Sequence, residues 1–301
     1  MITQPTVLIL GAGASMHLDY PSGSDLKDEI VKKLTRNSSM YNELYKFILD
    51  VRPLDELRDG LKFSGSESID QFLEHRPELI EAGKLAIAYT LIPYENKNRL
   101  FETNGNWYSH LFKNLNTSFD TFAKNKLTII TFNYDRSLEQ YLFIALKNTY
   151  GKTDVEVAEV INNLNFIHVY GQLCPLPWQN KSNSRQYDSK LNDVFIKLSA
   201  EQIKIIHDNI EDSYEFTIAK ESLAMAKKIC FLGFGYHEIN MKRLGMNYIE
   251  LKTKPIGSSY GLTKLEVKDI RYLHRRNKLL FPDITNEMEV LKFLKNHLSF
   301  Q

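Results

Sequence analysis

The chain has 301 residues, 43% of them hydrophobic, with 38 basic and 37 acidic side chains for a net charge of +1. That length supports a substantial core, and the balanced charge argues against a non-specific nucleic-acid binder. Its two cysteines, Cys174 and Cys230, rule out a disulfide framework or a four-ligand zinc site built from cysteine alone.

In chain order, five apolar, β-branched or glycine-ended runs read as strands: Thr6–Leu10, Leu127–Thr131, Asn165–Tyr170, Lys228–Leu232 and Pro255–Ser258. Continuous apolar runs suit strands buried on both faces. The helical patterns between them predict an α/β fold, a doubly wound parallel Rossmann-like sheet with helices on both faces. About 110 residues separate the first two strands, too many for one crossover. Within them Ser24–Lys33 (Ser24 as N-cap), Tyr41–Val51, Ser68–Leu91 with a new start at Pro77, and Tyr108–Phe122 carry helical patterns. Residues 35–120 are expected to form a helical insertion over the carboxyl edge of the sheet, within a single domain spanning 1–301. A helix is expected over Arg136–Leu146. Residues 172–200 are polar and irregular, either a mobile loop over a site or a plain surface excursion. The tail, Lys264–Gln301, reads as two helices about a short Leu279–Phe281 strand.

No basic segment followed by a long apolar stretch opens the chain, and its most apolar longer run, Leu85–Ile92, is too short to span a bilayer. A soluble, cytoplasmic protein is expected. The basic clusters Lys227-Lys228, Arg271–Lys278 and Lys292–Lys295 read as solvated helix faces, so direct nucleic-acid binding is not indicated.

The polar residues gather at strand ends, where ligands bind in doubly wound sheets. After the first strand, Gly11-Ala12-Gly13-Ala14-Ser15 gives a tight turn whose amides can face a phosphate. The dinucleotide fingerprint would need a third glycine where Met16 stands, and no Lys-Ser/Thr pair makes a P-loop. A plain strand-to-helix turn is the alternative. The second strand ends in Thr131-Phe132-Asn133-Tyr134-Asp135. Asn133 can donate and accept hydrogen bonds together, or cap the next helix. Asp135 faces the same choice. His168 is a candidate general base. It lies two residues before Tyr170, and in a continuing strand the two would share a face about 7 Å apart.

These segments, in order, resemble the sirtuin-like domains. The matching stretches are Gly11-Ala12-Gly13-Ala14-Ser15 with Pro21-Ser22-Gly23, then Thr131–Asp135 with Leu138-Glu139, then Ile167-His168-Val169-Tyr170-Gly171. Phe231–Tyr236 with Asn240 and Leu244, and Ile256–Leu262, complete the series. The family includes deacylases and bacterial antiphage-defence NAD hydrolases. The resemblance implies NAD as substrate, with no metal, and cleavage of the nicotinamide–ribose bond to nicotinamide and ADP-ribose. It implies Asn133 holding the ribose and the attacking water, and Asp135 at the nicotinamide amide. Gly11, Ala12, Gly13, Ala14, Ser15, Thr131, Gly171, Gly233, Phe234, Gly235 and Ser258 would line the dinucleotide.

The sequence departs from the family where Tyr170, not histidine, precedes Gly171. Either His168 remains the base, or Tyr170 takes that slot and His168 is a satisfied core histidine. The deacylases' four-cysteine zinc module is also missing, since Cys174 has no companions there. The resemblance then favours NAD depletion in regulated antiphage defence (abortive infection). Control is expected from self-assembly into a homo-oligomer or from a separately encoded sensor protein. The alternatives are a non-catalytic module binding NAD or ADP-ribose and, further off, a protein deacylase or ADP-ribosyltransferase. A conventional dehydrogenase is disfavoured by Met16 and by the Asn133 strand end.

Overall fold

The computed structural model describes residues 1–48, 50–102, 104–115, 117–205, 213–276, 283–285 and 289–300. Strand β1 (Thr6–Leu10) is buried along its whole length, as a strand covered by helices on both faces must be. Helices follow: α1 (Gly23–Lys33), α2 (Ser39–Ile48), α3 (Arg52–Phe63), α4 (Ile69–Glu74), α5 (Ile80–Leu91), α6 (Arg99–Glu102), α7 (Trp107–Leu115) and α8 (Phe119–Phe122). Then come β2 (Leu127–Thr131), α9 (Ser137–Tyr150), α10 (Asp154–Ile161), β3 (Asn165–His168), α11 (Asp193–Gln202) and α12 (Tyr214–Met225). The chain continues through β4 (Lys228–Leu232), α13 (Glu238–Arg243), β5 (Ile256–Ser258), α14 (Lys264–Arg276), β6 (Asp283–Thr285) and α15 (Val290–His297).

The strands form one parallel sheet in the order β3-β2-β1-β4-β5-β6. The chain steps outward from β1 through β2 to β3, then returns to lay β4 on the other side of β1. The topological switch point therefore lies between β1 and β4, whose carboxyl ends carry Gly11 and Gly233. This is the Rossmann-like α/β architecture expected from the sequence. Three strands, Thr6–Leu10, Leu127–Thr131 and Lys228–Leu232, run over the residues predicted.

Local differences have local causes. The expected Asn165–Tyr170 strand stops at His168, because Gly171 N–H turns back to the His168 carbonyl (3.2 Å) and Gly171 takes a positive φ of 74°. The strand expected at Pro255 begins at Ile256. Helix α1 is capped by Ser22, not Ser24: its side chain accepts from Asp25 N–H, and Asp25 reaches back to Ser22 N–H in a capping box. Helix α3 was not foreseen. Its Leu54, Leu57 and Leu61 stripe is fully buried, but Pro53 and Gly60 blur the pattern. The single helix expected over Ser68–Leu91 is α4 and α5 with a 3-10 turn at Pro77–Leu79 between them. The Tyr108–Phe122 pattern splits into α7 and α8. The Arg136–Leu146 pattern becomes α9, closed by Gly151 in the left-handed region. Leu49 and Leu279–Phe281, part of an expected helix and an expected strand, lie outside the described residues, and the last strand is described at Asp283–Thr285.

Of residues 172–200, expected to be irregular throughout, Asp193 onward belongs to α11, capped by Asn192, and residues 172–190 are not a loosely held loop. Arg136 and Arg185 are both fully buried and both pair with the buried Glu95 carboxylate, at 2.8 Å and 2.7 Å. The extra positive charge is met by carbonyls of the same segment: Arg136 Nη1 donates to Cys174 O and Arg185 O (2.8 Å each) and to Pro175 O (3.1 Å), and Arg185 Nη2 donates to Leu173 O (3.2 Å). A buried charge persists only when so compensated. The segment is pinned to α9 and to the chain after α5. Among the described residues no helix is long and apolar enough to cross a membrane.

Candidate functional site

Strand register builds one wall of a pocket. Leu10 pairs with Thr131 and Thr131 with His168, while Ile129 pairs with Phe166. Side chains alternate along a strand, so Leu10, Ile129, Thr131, Phe166 and His168 share one face of the sheet. Tyr108 from α7 and Leu138 and Glu139 from α9 stand opposite, and Ser15, Asn133 and Asp135 close the end. The pocket is narrow, with room for about one water molecule. A larger, open hollow is lined by Asn192, Asp193, Val194 and Phe195.

Asn133 lies in irregular chain after β2, where no ladder fixes it. Side chains fix it instead. Its N–H donates to Thr131 Oγ1 (3.0 Å), and its carbonyl faces His168 Nδ1 at 3.2 Å. Its Nδ2 donates to the Gly11 carbonyl (2.9 Å) and to Ser15 Oγ (3.1 Å). A carbonyl can only accept, so these contacts settle which end of the carboxamide faces Gly11. The remaining polar atom, Oδ1, makes no hydrogen bond among the described residues. The alternative of Asn133 as a helix cap is not what the side chain does.

Ser15 passes the chain on, its hydroxyl donating to Asp135 Oδ2 at 2.6 Å. Asp135 Oδ1 accepts from Ser137 N–H at 3.0 Å, where α9 begins. The Asp135 carboxylate braces the start of α9 with one oxygen and takes the Ser15 hydroxyl with the other, while the N-cap position itself is Arg136. Burial raises its pKa above the ordinary carboxylate value, against the lowering effect of those hydrogen bonds.

His168 has both ring nitrogens engaged. Nδ1 faces the Asn133 carbonyl, and Nε2 lies 2.5 Å from Glu139 Oε1. Burial disfavours a charged ring, but the Glu139 carboxylate and the bonds to Glu139 and Asn133 outweigh it and raise the His168 pKa above its ordinary 6.5. A ring that donates from both nitrogens has no lone pair with which to act as a base. The turn at 168–171 carries Tyr170 away from it. The Tyr170 ring packs on Phe132 and Phe216, its hydroxyl donates to Asn240 Oδ1 (2.5 Å), and it accepts from Arg243 Nη1 (2.8 Å). Burial pushes that phenol well up, so it stays a neutral hydroxyl. The shared face expected for His168 and Tyr170 is not formed, because the strand ends between them.

The glycine turn also differs from expectation. Ala12–Ala14 is a 3-10 turn, and the amides of Gly13, Ala14 and Ser15 donate to Gly233 O, Gly11 O and Ala12 O. They close the turn and do not face outward as a phosphate cradle. A Cβ on Gly233 (φ 55°) would lie 2.1 Å from Ala14 N, so glycine there lets the turns after β1 and β4 touch backbone to backbone. Ser258 Oγ accepts from Gly233 N–H and supports this contact from below. Phe234 is buried among Phe132, Phe231 and Tyr236; Gly171 is pressed against the Gln202 carbonyl; Gly235 is exposed. Of the expected residues, Ser15, Thr131, Asn133 and Asp135 line the pocket, and Gly11 and His168 join them through hydrogen bonds to Asn133; Tyr170, Gly171, Phe234, Gly235 and Ser258 lie outside it.

Three residues were not foreseen as site residues. Glu139 holds His168. Tyr108 forms a wall. Trp107 donates its Nε1–H to the Ala14 carbonyl (2.8 Å), fastening α7 to the glycine turn. The one sequence signal was Glu139, a lone carboxylate among the buried apolar positions of α9. Helix α4 also reaches the strand ends: Asp70 accepts from Tyr134 OH, and Glu74 from Arg243 (2.9 Å). Among the described residues no group of three or more His, Cys, Asp or Glu side chains is placed to hold a metal ion.

Fold and site define an α/β protein with a Rossmann-like sheet and a preorganised amide–hydroxyl–carboxylate chain at its carboxyl edge. No protein-family model matches the sequence, and no curated protein matches it.

Proposed function

We propose that this chain is an NAD glycohydrolase, with the Asn133–Ser15–Asp135 chain at the nicotinamide ribose. One observation carries the proposal: every polar group of Asn133 except Oδ1 is held, and its Nδ2 is held by two residues, 122 and 118 positions away in sequence. An acceptor fixed this way needs no reorganisation during the reaction, which is how polar sites lower barriers. The ordered resemblance of the strand-end motifs to the sirtuin-like domains supplies the substrate. In the reaction, the bond between ribose C1′ and nicotinamide nitrogen breaks and its electron pair leaves with nicotinamide. Water adds to C1′ and loses a proton, giving ADP-ribose. Asn133 Oδ1 takes a hydrogen bond from a ribose hydroxyl or from that water. Asp135 and Glu139 place negative charge beside a cationic, oxocarbenium-like transition state.

The pocket as it stands is too narrow for a nicotinamide ribose, so substrate entry requires its walls to part. That supports a gated activity, in keeping with regulated NAD depletion in antiphage defence through self-assembly or a sensor protein. The experiment is nicotinamide release from NAD by the pure protein and by Asn133→Ala, alone and with candidate activators.

A second reading has its own observation. His168 offers no free nitrogen, which favours a non-catalytic module that binds NAD or ADP-ribose once the same walls part. Binding without nicotinamide release under all activating conditions would establish it.

A further inference from the structure

We propose that Glu139 is a positioning residue that acts through His168 to hold Asn133 in place. The inference rests on the hydrolase reading for its kinetic part, but its structural part stands on geometry alone. Glu139 lies in the first turn of α9 and is buried, with its carboxylate 2.5 Å from His168 Nε2. A carboxylate oxygen only accepts, so Nε2 carries a proton. On the other side of the ring, Nδ1 faces the Asn133 carbonyl, which also only accepts, so Nδ1 carries a proton as well. Glu139, the His168 ring and the Asn133 peptide thus form a line from helix to strand end. A neutral imidazole has one N–H and can satisfy one end of that line only. Glu139 keeps the ring doubly protonated and both ends closed.

The consequence falls on Asn133. Thr131 holds its N–H, and Gly11 and Ser15 hold its carboxamide. His168 supplies the last of these restraints, on the carbonyl. The charged groups acting on the His168 ring are Glu139 from α9 and Asp135 from the end of β2. Two carboxylates and one imidazolium leave the cluster net negative, which suits a ribosyl cation.

The test begins on the unaltered protein. With 15N-labelled histidine, both His168 ring nitrogens are expected to be protonated at pH 7, and a neutral ring there would overturn the proposal. In Glu139→Gln the ring is expected to become neutral at pH 7. The turnover number is expected to fall about tenfold while KM for NAD stays within twofold, and the alkaline limb of the rate profile should move to lower pH. A purely structural role would reduce the folded fraction without moving that limb, and an unmoved limb in folded Glu139→Gln sinks the idea. If the unaltered protein releases no nicotinamide under any condition, the hydrolase reading fails. The ring measurement still decides the Glu139–His168–Asn133 geometry, so the two failures are distinct.

Discussion

Asn133 and Gly11 meet through a 2.9 Å hydrogen bond from the carboxamide nitrogen to the carbonyl oxygen, across 122 residues of sequence. Gly11 follows β1 and Asn133 follows β2, neighbouring strands of the sheet, so the bond joins two adjacent carboxyl ends. It orients the amide so that Nδ2 faces the Gly11 carbonyl and Oδ1 points away from it. Gly11 N–H donates to Leu232 O at 3.0 Å and Gly13 N–H to Gly233 O at 3.0 Å, so the same turn also leans on β4.

That contact makes Gly233 a sensitive position. Gly233→Ala would put a methyl 2.1 Å from Ala14 N in a left-handed conformation. We predict a loss of about 3 kcal/mol or more, measured by urea denaturation. Gly65→Ala, which meets nothing within 4 Å, is the control and should change stability by less than about 0.5 kcal/mol. Equal effects at the two positions would contradict the packed switch point.

Glu95→Gln should be among the most destabilising single changes in the chain. It removes the carboxylate shared by two fully buried arginines. Breaking a buried ion pair from one side costs about 3–5 kcal/mol. Urea melts should show that loss, and limited proteolysis should open within residues 172–190. A change below about 1 kcal/mol would mean that the carbonyls alone satisfy the guanidinium groups.

Two histidines should give pH dependences of opposite sign. His168 is raised above its ordinary 6.5, so its contribution is full below the unfolded pKa and is lost as pH rises through the folded one. His17 is depressed to about 4, chiefly by burial against a hydrogen bond to the Ala14 carbonyl. Its contribution is present above 6.5 and is lost as pH falls from there toward 4. Stability measured across pH should lose its alkaline slope in His168→Gln and part of its acid slope in His17→Gln. The same slopes in both variants would refute the assignment.

Much of the sheet was legible in the sequence, because β1, β2 and β4 are apolar runs whose burial on both faces leaves a plain signature. Strand β3 was read too long: Val169 and Tyr170 favour strands, but a turn closed by Gly171 overrides them. The site was half legible. Asn133, Asp135 and Ser15 stood out as polar residues at apolar strand ends. The role of His168 did not, since its partner Glu139 lies 29 residues away on a helix and only folding brings them together. The buried triad was invisible for the same reason, with Glu95 lying 41 and 90 residues from its arginines.

In the proposed reaction Asn133 Oδ1 is a fixed acceptor at the ribose of NAD. Its most direct measurement is nicotinamide release by the unaltered protein and by Asn133→Ala, both verified as folded. Release should fall at least about 100-fold in the variant, or about 2.7 kcal/mol of lost transition-state stabilisation. Release unchanged in Asn133→Ala would contradict it.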